Sequence, residues 1–356
     1  MKLYTFYIFL ILIAAVRILS YFGSTDRPSE GAKVRITSTL SKEPRDFGTS
    51  YLIEVESYRA FIKKTVPLNL GDQVVIEGKI EGSDTLSEAR LMQHDISSNP
   101  IYIYRTRLLD FIGTNLPEKD AALIAGMVLG SGKFITREFW DSLVSTSTAH
   151  VVVASGMNVN LVAGFVLSNA IIIGRKRAVF LSLFFVWFYV FFAGFEAPLV
   201  RAGIMGSLFL LSQTTGRQAH TLYLLLFTCL TMLIIKPGYI TDFGFILSVC
   251  STLSLILFAS KVYKKLSFIP VVIRENLSTS IAAQIGVGPI LFFGFGNFNI
   301  FGPIINAFVL WSVPFITIFG MIASLAMFIS PKIAKLIFLL TYPLTQFFVQ
   351  VVGLFA

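Results

Sequence analysis

Residues 145–167 read STSTAHVVVASGMNVNLVAGFVL, and the other segments of the chain are most easily placed around this stretch. It begins with four hydroxyl residues, carries His150, and then enters an apolar run that contains Ser155, Asn158 and Asn160. A polar side chain in hydrocarbon costs free energy unless it finds a partner. The segment is therefore predicted to face a protein interior or a water-filled path instead of lipid.

The composition predicts a polytopic membrane protein. Of the 356 residues, 55% are hydrophobic and only 14% are charged, and the mean hydropathy is +0.76; soluble domains carry about a quarter charged residues. Membrane topology explains much of the net charge of +9, which by itself does not indicate an anionic substrate. Cys229 and Cys250 lie in separate apolar runs, so we expect inert buried thiols, with no disulfide framework, metal site or cofactor.

The N-terminal part divides into an anchor and a small β domain. Residues 1–23 contain an apolar run of the length that spans a bilayer, which predicts an uncleaved transmembrane helix. Residues 24–98 carry short strand-like runs separated by turn signals such as Leu70-Gly71-Asp72, and this spacing predicts a β barrel or sandwich. The segment PLNLGDQVVIEGKI (67–80) resembles the turn and bent strand of OB-fold barrels. The four predicted strands are 34–40, 50–57, 61–66 and 73–80.

OB folds often bind single-stranded nucleic acid through aromatic platforms and a basic groove. Aromatic and basic residues in the β domain are therefore candidate DNA contacts. The alternative is that the aromatic side chains fill the barrel core, and the slight excess of acidic over basic residues in 24–98 argues against a strong grip on a polyanion. The candidates are Phe47, Tyr51, Tyr58, Phe61, Lys63 and Lys64.

Residues 99–149 are predicted to form interfacial or short helices, with Arg105 and Arg107 off the apolar face, as a vestibule at the membrane surface. Residues 150–356 predict about eight spans. Lys and Arg are concentrated in the loops at 174–177 and 261–274, so the positive-inside rule places these loops in the cytoplasm and the β domain outside. The predicted spans are 150–173, 178–195, 199–215, 219–235, 240–260, 278–296, 299–329 (broken at Pro303 and Pro314) and 336–354.

Polar residues inside these spans are the candidate functional residues. On one continuous helix, Ser147, His150 and Asn158 would share an arc of about 80°, although Ser155-Gly156 is a place where the helix can break. A broken helix lining a cavity is typical of transporter binding sites; an interhelical hydrogen-bond cluster without substrate is the alternative.

Two further motifs carry charges within the hydrophobic half of the chain. Arg201 suits phosphate recognition through its planar guanidinium, and pairing with Glu196 or a backbone carbonyl is the alternative. Asp242 directly precedes an apolar helix, where it can cap the N-terminus. The later run QIGVGPILFFGFGNFNIFGPIINAFV (284–309) is rich in Gly, Pro and Asn, which permits close helix packing and broken backbone around a path.

Four segments together resemble the motifs of the ComEC competence family, in the same order and at similar spacing from about residue 120 to 356. The β domain resembles the family's N-terminal extracytoplasmic domain. The chain departs from the family motifs at two positions: Asn158 replaces the histidine of Ser-Gly-x-His, and Ser147 replaces the glycine before the first histidine. The four segments are STSTAHVVVASGMNVNLVAG (145–164), APLVRAGIM (197–205), KPGYITDFGFILSVCSTLSLILF (236–258) and SIAAQIGVGPILFFGFGNFNIFGPIINAFVLWSVP (280–314).

The resemblance implies an inner-membrane channel for single-stranded DNA in natural transformation, without catalysis in this chain. Longer family members carry a metallo-β-lactamase-like nuclease domain; the three histidines here are scattered, so strand degradation is expected from another protein. The sequence has no Walker-type loop, and a cytoplasmic ATPase or helicase is therefore expected to pull the strand. An extracytoplasmic DNA receptor and nuclease are the other expected partners, together with membrane lipid. The candidate lining residues are His150, Ser155, Asn158, Asn160, Glu196, Arg201 and Asp242.

Two other function classes fit the same sequence. One is a small-solute or ion transporter whose β domain only stabilises the assembly. The other is a non-transporting membrane scaffold that recruits pilus or nuclease partners. A scaffold predicts that Arg201→Ala leaves function intact while surface changes on 24–98 abolish it.

Overall fold

The computed structural model of the chain describes residues 2–24, 29–46, 48–56, 58–82, 85–152, 155–216, 220–295, 299 and 301–356. Within these ranges, a single helix precedes a β domain, and the rest of the chain is helical. The predicted class, a helical membrane protein with a small β domain after the first helix, is confirmed at this level.

The β domain is one mixed sheet of six described strands in the order β1-β5-β6-β4-β3-β2. Neighbouring strands are antiparallel except β4 and β6, which are parallel. Ile36 of β1 and Ile53 of β3 belong to one core although their strands lie far apart in the sheet, so the sheet curves around that core. None of the strand pairings among the described residues closes this sheet into a barrel, so barrel closure stays a prediction. The strands are β1 (Lys33–Thr39), β2 (Arg45–Asp46), β3 (Ser50–Val55), β4 (Tyr58–Lys63), β5 (Gln73–Glu81) and β6 (Thr85–Asp95).

Alternation of apolar and polar residues explains the strands. Along β3 and β5, every second side chain is buried, as expected for strands with one face on a core. The turn predicted at 70–72 is present: Gly71 has φ +89°, and a Cβ there would lie 2.2 Å from Tyr102 Cδ2. Buried Asp72 accepts hydrogen bonds from the backbone N–H groups of Asn69 and Ser97 and contacts His94, which fixes the turn.

The described residues also form one 3-10 turn (Pro237–Thr241) and fifteen helices, of which α1 precedes the β domain and fourteen follow it. The break predicted near Pro314 is present, because a helix ends at Val309 and the next begins at Val313 with a bend of 48°. The helices are α1 (Lys2–Ser24), α2 (Pro100–Asn115), α3 (Glu118–Leu129), α4 (Arg137–Ser145), α5 (Ala149–Val152), α6 (Gly156–Ser168), α7 (Ala170–Ile173), α8 (Arg175–Phe192), α9 (Ala197–Thr214), α10 (Thr221–Ile235), α11 (Phe243–Lys265), α12 (Val271–Phe295), α13 (Gly302–Val309), α14 (Val313–Ala326) and α15 (Pro331–Phe355).

Among the described residues, four helices are long and apolar enough to cross a bilayer, or five if the bent pair α13–α14 counts as one span. This supports a multi-pass membrane protein. The larger count is four smaller than the predicted anchor plus eight spans. A crossing takes about 20 residues, whereas α6 and α10 have 13 and 15 and α8 and α9 have 18 each. The four are Thr5–Gly23, Phe243–Lys265, Ile273–Phe293 and Pro331–Phe355.

Helix α3 forms the centre of the helical body. All ten of its residues from Asp120 to Leu129 are buried, and they share a core with α14 and α15. The prediction of interfacial helices over 99–149 did not anticipate this burial. Arg105 of α2 is likewise buried, with 2% exposure, whereas Arg107 is exposed. A short helix is tolerated at membrane depth when protein surrounds it, because neighbouring side chains then satisfy its ends.

Candidate functional site

The stretch around Ser155 is broken, not one continuous helix. Helix α5 ends at Val152, residues 153–154 lie outside the described ranges, and Ser155 is extended (φ −120°, ψ 166°) before α6 begins. Ser147 has a left-handed backbone with φ +58°. The single polar stripe that a continuous helix would give is therefore absent, and the break predicted at Ser155-Gly156 is present.

Arg201 of α9 lies directly against this break. A Cβ on Gly156 would be 3.4 Å from Nη2 of Arg201 and 3.2 Å from Cβ of Ala202. Arg201 Nε donates to Ser248 Oγ of α11 at 2.8 Å, and Nη1 lies 3.3 Å from Met205 Sδ. The structure thus joins three of the sequence motifs at one point: the helix break, the arginine helix and the start of α11.

The alternative of a Glu196–Arg201 ion pair is not seen: none of the ion pairs among the described residues involves Arg201. Glu196 is half-buried at the N-cap position of α9. Five residues along a helix turn the side chain by about 140°, so the two groups point in different directions. The side chain of Arg201 is 8% exposed.

Asn158 is fully buried and holds the C-terminal end of α3. Its Nδ2 donates to the Met127 carbonyl at 2.7 Å and to the Tyr189 hydroxyl at 3.2 Å; that hydroxyl donates to the same carbonyl at 3.2 Å. The last carbonyls of a helix lack N–H partners within the helix. The side chains of Asn158 and Tyr189 donate to one of these carbonyls, that of Met127. Asn158 Oδ1 is buried without a partner among the described residues. Asn158 therefore contributes an interhelical contact.

His150 and Asn160 have exposed side chains, and Ser155 is half-buried. Asn160 follows Asn158 by two residues, or about 200° around the helix, so one asparagine faces the protein and the other faces away. Of the four candidate residues His150, Ser155, Asn158 and Asn160, Asn158 alone is fully buried.

A second polar cluster lies where residues 145–148 meet the Gly- and Asn-rich segment. Asn299 Nδ2 donates to the Ser145 carbonyl at 2.5 Å, and Asn306 Nδ2 donates to the Ser147 carbonyl at 3.3 Å. A Cβ on Gly302 would lie 2.7 Å from Ser147 Cβ, so the small residue permits this contact. The first and last family-like motifs are therefore neighbours.

Asp242 caps α11: its Oδ1 accepts from the Phe245 N–H at 2.8 Å. Its other oxygen lies 3.7 Å from Lys42 Nζ of the β domain. Asp242 is thus both a helix cap and a contact between the two domains.

In the β domain, the candidate DNA contacts separate into buried and exposed groups. Tyr51 is 8% exposed and belongs to the core, beneath Lys64, whose ammonium lies 5.3 Å from the ring centroid. Lys64 also pairs with Asp46, and this pairing holds the pKa of Lys64 above its usual value. Tyr58 is half-buried, Lys63 is exposed and Phe61 is 54% exposed. Phe47 lies outside the described residues.

Sequence reasoning did not identify the buried carboxylate of Asp120. Its two oxygens accept from Thr345 Oγ1 at 2.5 Å and Gln346 Nε2 at 2.7 Å, both on α15. Ser248 and Tyr189 were missed as well, because a hydroxyl in an apolar run is common. Among the described residues, no group of three or more His, Cys, Asp or Glu side chains could hold a metal, and both free cysteines are half-buried.

The Arg201 site lies just beneath the contact with the β domain. Asn158 donates to the carbonyl of Met127, which lies about 3 Å along α3 from Leu129. The Leu129 carbonyl accepts from Arg105 of α2. Arg201 lies about 6 Å along α9 from Ala197, the first residue of that helix. Gly194 lies just before α9, and a Cβ on it would be 3.3 Å from Leu70 Cδ2 of the β domain. The site is thus one to two helical turns below the β domain.

Comparison with known proteins agrees with the motifs. Residues 127–356, more than half of the chain, match the family described as Competence protein. ComE operon protein 3 of Bacillus subtilis (strain 168) is 25% identical over 215 residues, which are 60% of this chain and 27% of that protein. No solved structure matches the chain. The chain therefore belongs to the Competence protein family, the ComEC-type proteins whose motifs its sequence carries.

Proposed function

We propose that the helical domain forms a path for single-stranded DNA across the cytoplasmic membrane during natural transformation. The observation that carries this proposal is the meeting of Gly156, Arg201 and Ser248, which come from three separate motifs, at a helix break within a membrane domain. Membership of the Competence protein family supports it. A fixed cation beside broken backbone is a suitable surface for a chain of phosphates.

The remaining candidate residues are assigned by their exposure. His150, Ser155 and Asn160 are accessible and are proposed to line the path with Arg201. Asn158 is proposed to act by fixing the end of α3 beside the path. Glu196 and Asp242 lie at helix N-termini on the side of the β domain, where we place the entrance.

The β domain is proposed to lie outside the membrane and to receive the strand. On β4, the exposed side chains Arg59, Phe61 and Lys63 alternate with buried Ala60 and Ile62. An exposed aromatic ring between two cations is the arrangement that stacks a base while holding the backbone. An extracytoplasmic receptor and nuclease would deliver the strand, and a cytoplasmic ATPase or helicase would pull it; no catalysis is assigned to this chain.

Uptake of labelled DNA into the cytoplasm of a strain that lacks this gene tests the proposal. Complementation with the wild-type gene is expected to restore protected cytoplasmic DNA, and complementation with Arg201→Ala to restore much less. Unchanged uptake in the deletion strain would reject the proposal. Uptake that requires the gene but tolerates Arg201→Ala would indicate a scaffold, and loss of a small solute or ion flux with normal DNA uptake would indicate a transporter.

A further inference from the structure

We propose that Arg201 and the N-terminal turn of α6 together form an anion-binding site that holds one phosphodiester group at a time. The identity of the phosphodiester as DNA rests on the proposed function; the anion site itself does not. Three observations carry it: a buried uncompensated cation, a helix N-terminus without a side-chain cap, and a glycine between them.

The guanidinium of Arg201 is buried without a counter-charge. The side chain is 8% exposed, and its described polar partners are the Ser248 hydroxyl and the Met205 thioether, both neutral. Removing an ion from water costs several kcal/mol unless an opposite charge or good hydrogen bonds compensate it. A guanidinium has five N–H donors, and a thioether is a weak acceptor. The site therefore lacks one negative charge and at least one strong acceptor.

The N-terminus of α6 provides the second half of the site. Ser155 occupies the N-cap position, but its side chain accepts no hydrogen bond from the first turn. The N–H of Asn158 bonds to the Ser155 carbonyl at 3.1 Å, whereas the N–H groups of Gly156 and Met157 have no acceptor among the described residues. N–H groups at a helix N-terminus, together with the helix dipole, favour an anion at this end.

Gly156 brings the two halves together. A Cβ on this residue would lie 3.4 Å from Nη2 of Arg201, so any side chain would fill the space between the guanidinium and the first N–H groups of α6. An oxyanion in that space would accept from both. This arrangement gives a physical reason for glycine after Ser155.

Ser248 positions the arginine. Because Ser248 Oγ accepts from Nε, the two terminal nitrogens are left to face Met205 and the break. An oxygen of the anion would replace the thioether as the partner of Nη1. One uncompensated positive charge matches a phosphodiester, which carries one negative charge. A single site of this kind also lets a strand move on, since conduction requires binding weak enough to be released.

The test uses the purified full chain in lipid nanodiscs and dimethyl phosphate, a phosphodiester monoanion, as the probe. The midpoint of thermal unfolding is expected to rise with probe concentration and to saturate, because a ligand that binds the folded state stabilises it. Arg201→Gln is expected to abolish the rise. Ser248→Ala is expected to weaken binding roughly tenfold, the effect of about 1.4 kcal/mol, and Ser248→Thr to keep it. Arg175→Gln, at an exposed arginine, is the matched control and is expected to behave as wild type.

The absence of a saturable rise in the wild type overturns the proposal, as does an equal rise in Arg201→Gln. If Arg201→Gln fails to fold, the Ser248 pair decides: equal binding by the Ala and Thr variants overturns the assignment. The DNA uptake experiment is read separately. If probe binding depends on Arg201 but DNA uptake does not require the gene, the anion site stands and the proposed function is rejected. If DNA uptake requires the gene but the protein does not bind the probe, the proposed function stands and the anion site is rejected.

Discussion

Glu43 of the β domain and Arg105 of α2 form an ion pair in which only 10% and 3% of the two side chains are exposed. The same guanidinium donates from Nη2 to the Leu129 carbonyl at 2.8 Å. One arginine therefore connects the β domain to the C-terminal end of the central helix α3. Since Asn158 holds the neighbouring carbonyl of Met127, the β domain and the helix break are supported by the same helix end.

Arg105→Ala is expected to destabilise the chain by about 3–5 kcal/mol, because it leaves the Glu43 carboxylate buried without its cation. Glu43→Gln, which keeps a hydrogen-bonding group, is expected to cost less. Chemical denaturation of the purified chain in detergent would measure both. Arg107→Ala lies on the same helix with an exposed side chain and serves as the control. Equal stability of the two alanine variants at positions 105 and 107 would contradict the assigned role.

Gly126 permits the close approach of α3 and α5. A Cβ at this position would lie 2.3 Å from the Val152 carbonyl oxygen, and a backbone atom cannot rotate away. Gly126→Ala is therefore expected to cost about 1–3 kcal/mol through overpacking. Gly164→Ala in α6, where nothing lies within 4 Å of the added atom, is expected to be neutral or to gain up to about 1 kcal/mol. Thermal unfolding of the two variants, compared with wild type, checks the opposite signs.

Asn158 is expected to be replaceable by histidine but not by leucine. A histidine N–H can still donate to the Met127 carbonyl, whereas leucine leaves that carbonyl without its Asn158 donor, at a cost of about 1–3 kcal/mol. Asn158→His also restores the residue of the family motif. The measurement is the unfolding midpoint together with DNA uptake in the complemented deletion strain. A stable and active Asn158→Leu variant would show that the contact with α3 is dispensable.

Phe61 is expected to contribute to binding of single-stranded DNA by the β domain. Loss of one base stack is worth about 1–3 kcal/mol, so Phe61→Ala should weaken binding of an oligothymidylate by roughly five- to a hundredfold. Fluorescence anisotropy with the full chain measures this. Met92→Ala, which removes a side chain of similar exposure (53%) on β6, is the control. Equal affinities of the Phe61→Ala and Met92→Ala variants would indicate that single-stranded DNA does not bind at Phe61.

The strands show what local pattern can predict in the β domain. The runs at 34–40 and 73–80 correspond to β1 and β5, because their alternation matches one buried and one exposed face. Strand β6 (Thr85–Asp95) was not predicted, since charged and polar residues occupy most of its outward positions and few of its side chains are buried. Its place is set by antiparallel pairing with the preceding strand β5, which the burial pattern of its own residues does not indicate.

The membrane class and the break at Ser155-Gly156 follow from the sequence by itself, because hydropathy and backbone preference act over neighbouring residues. The partners of the buried polar groups do not follow from it. Asp120 meets Thr345, 225 residues later, and Arg201 meets Ser248, 47 residues later. Whether a buried charge is compensated depends on the groups that the folded chain brings within a few ångströms of it. Only the tertiary packing therefore decides which polar residue makes a structural contact and which is available to bind a ligand.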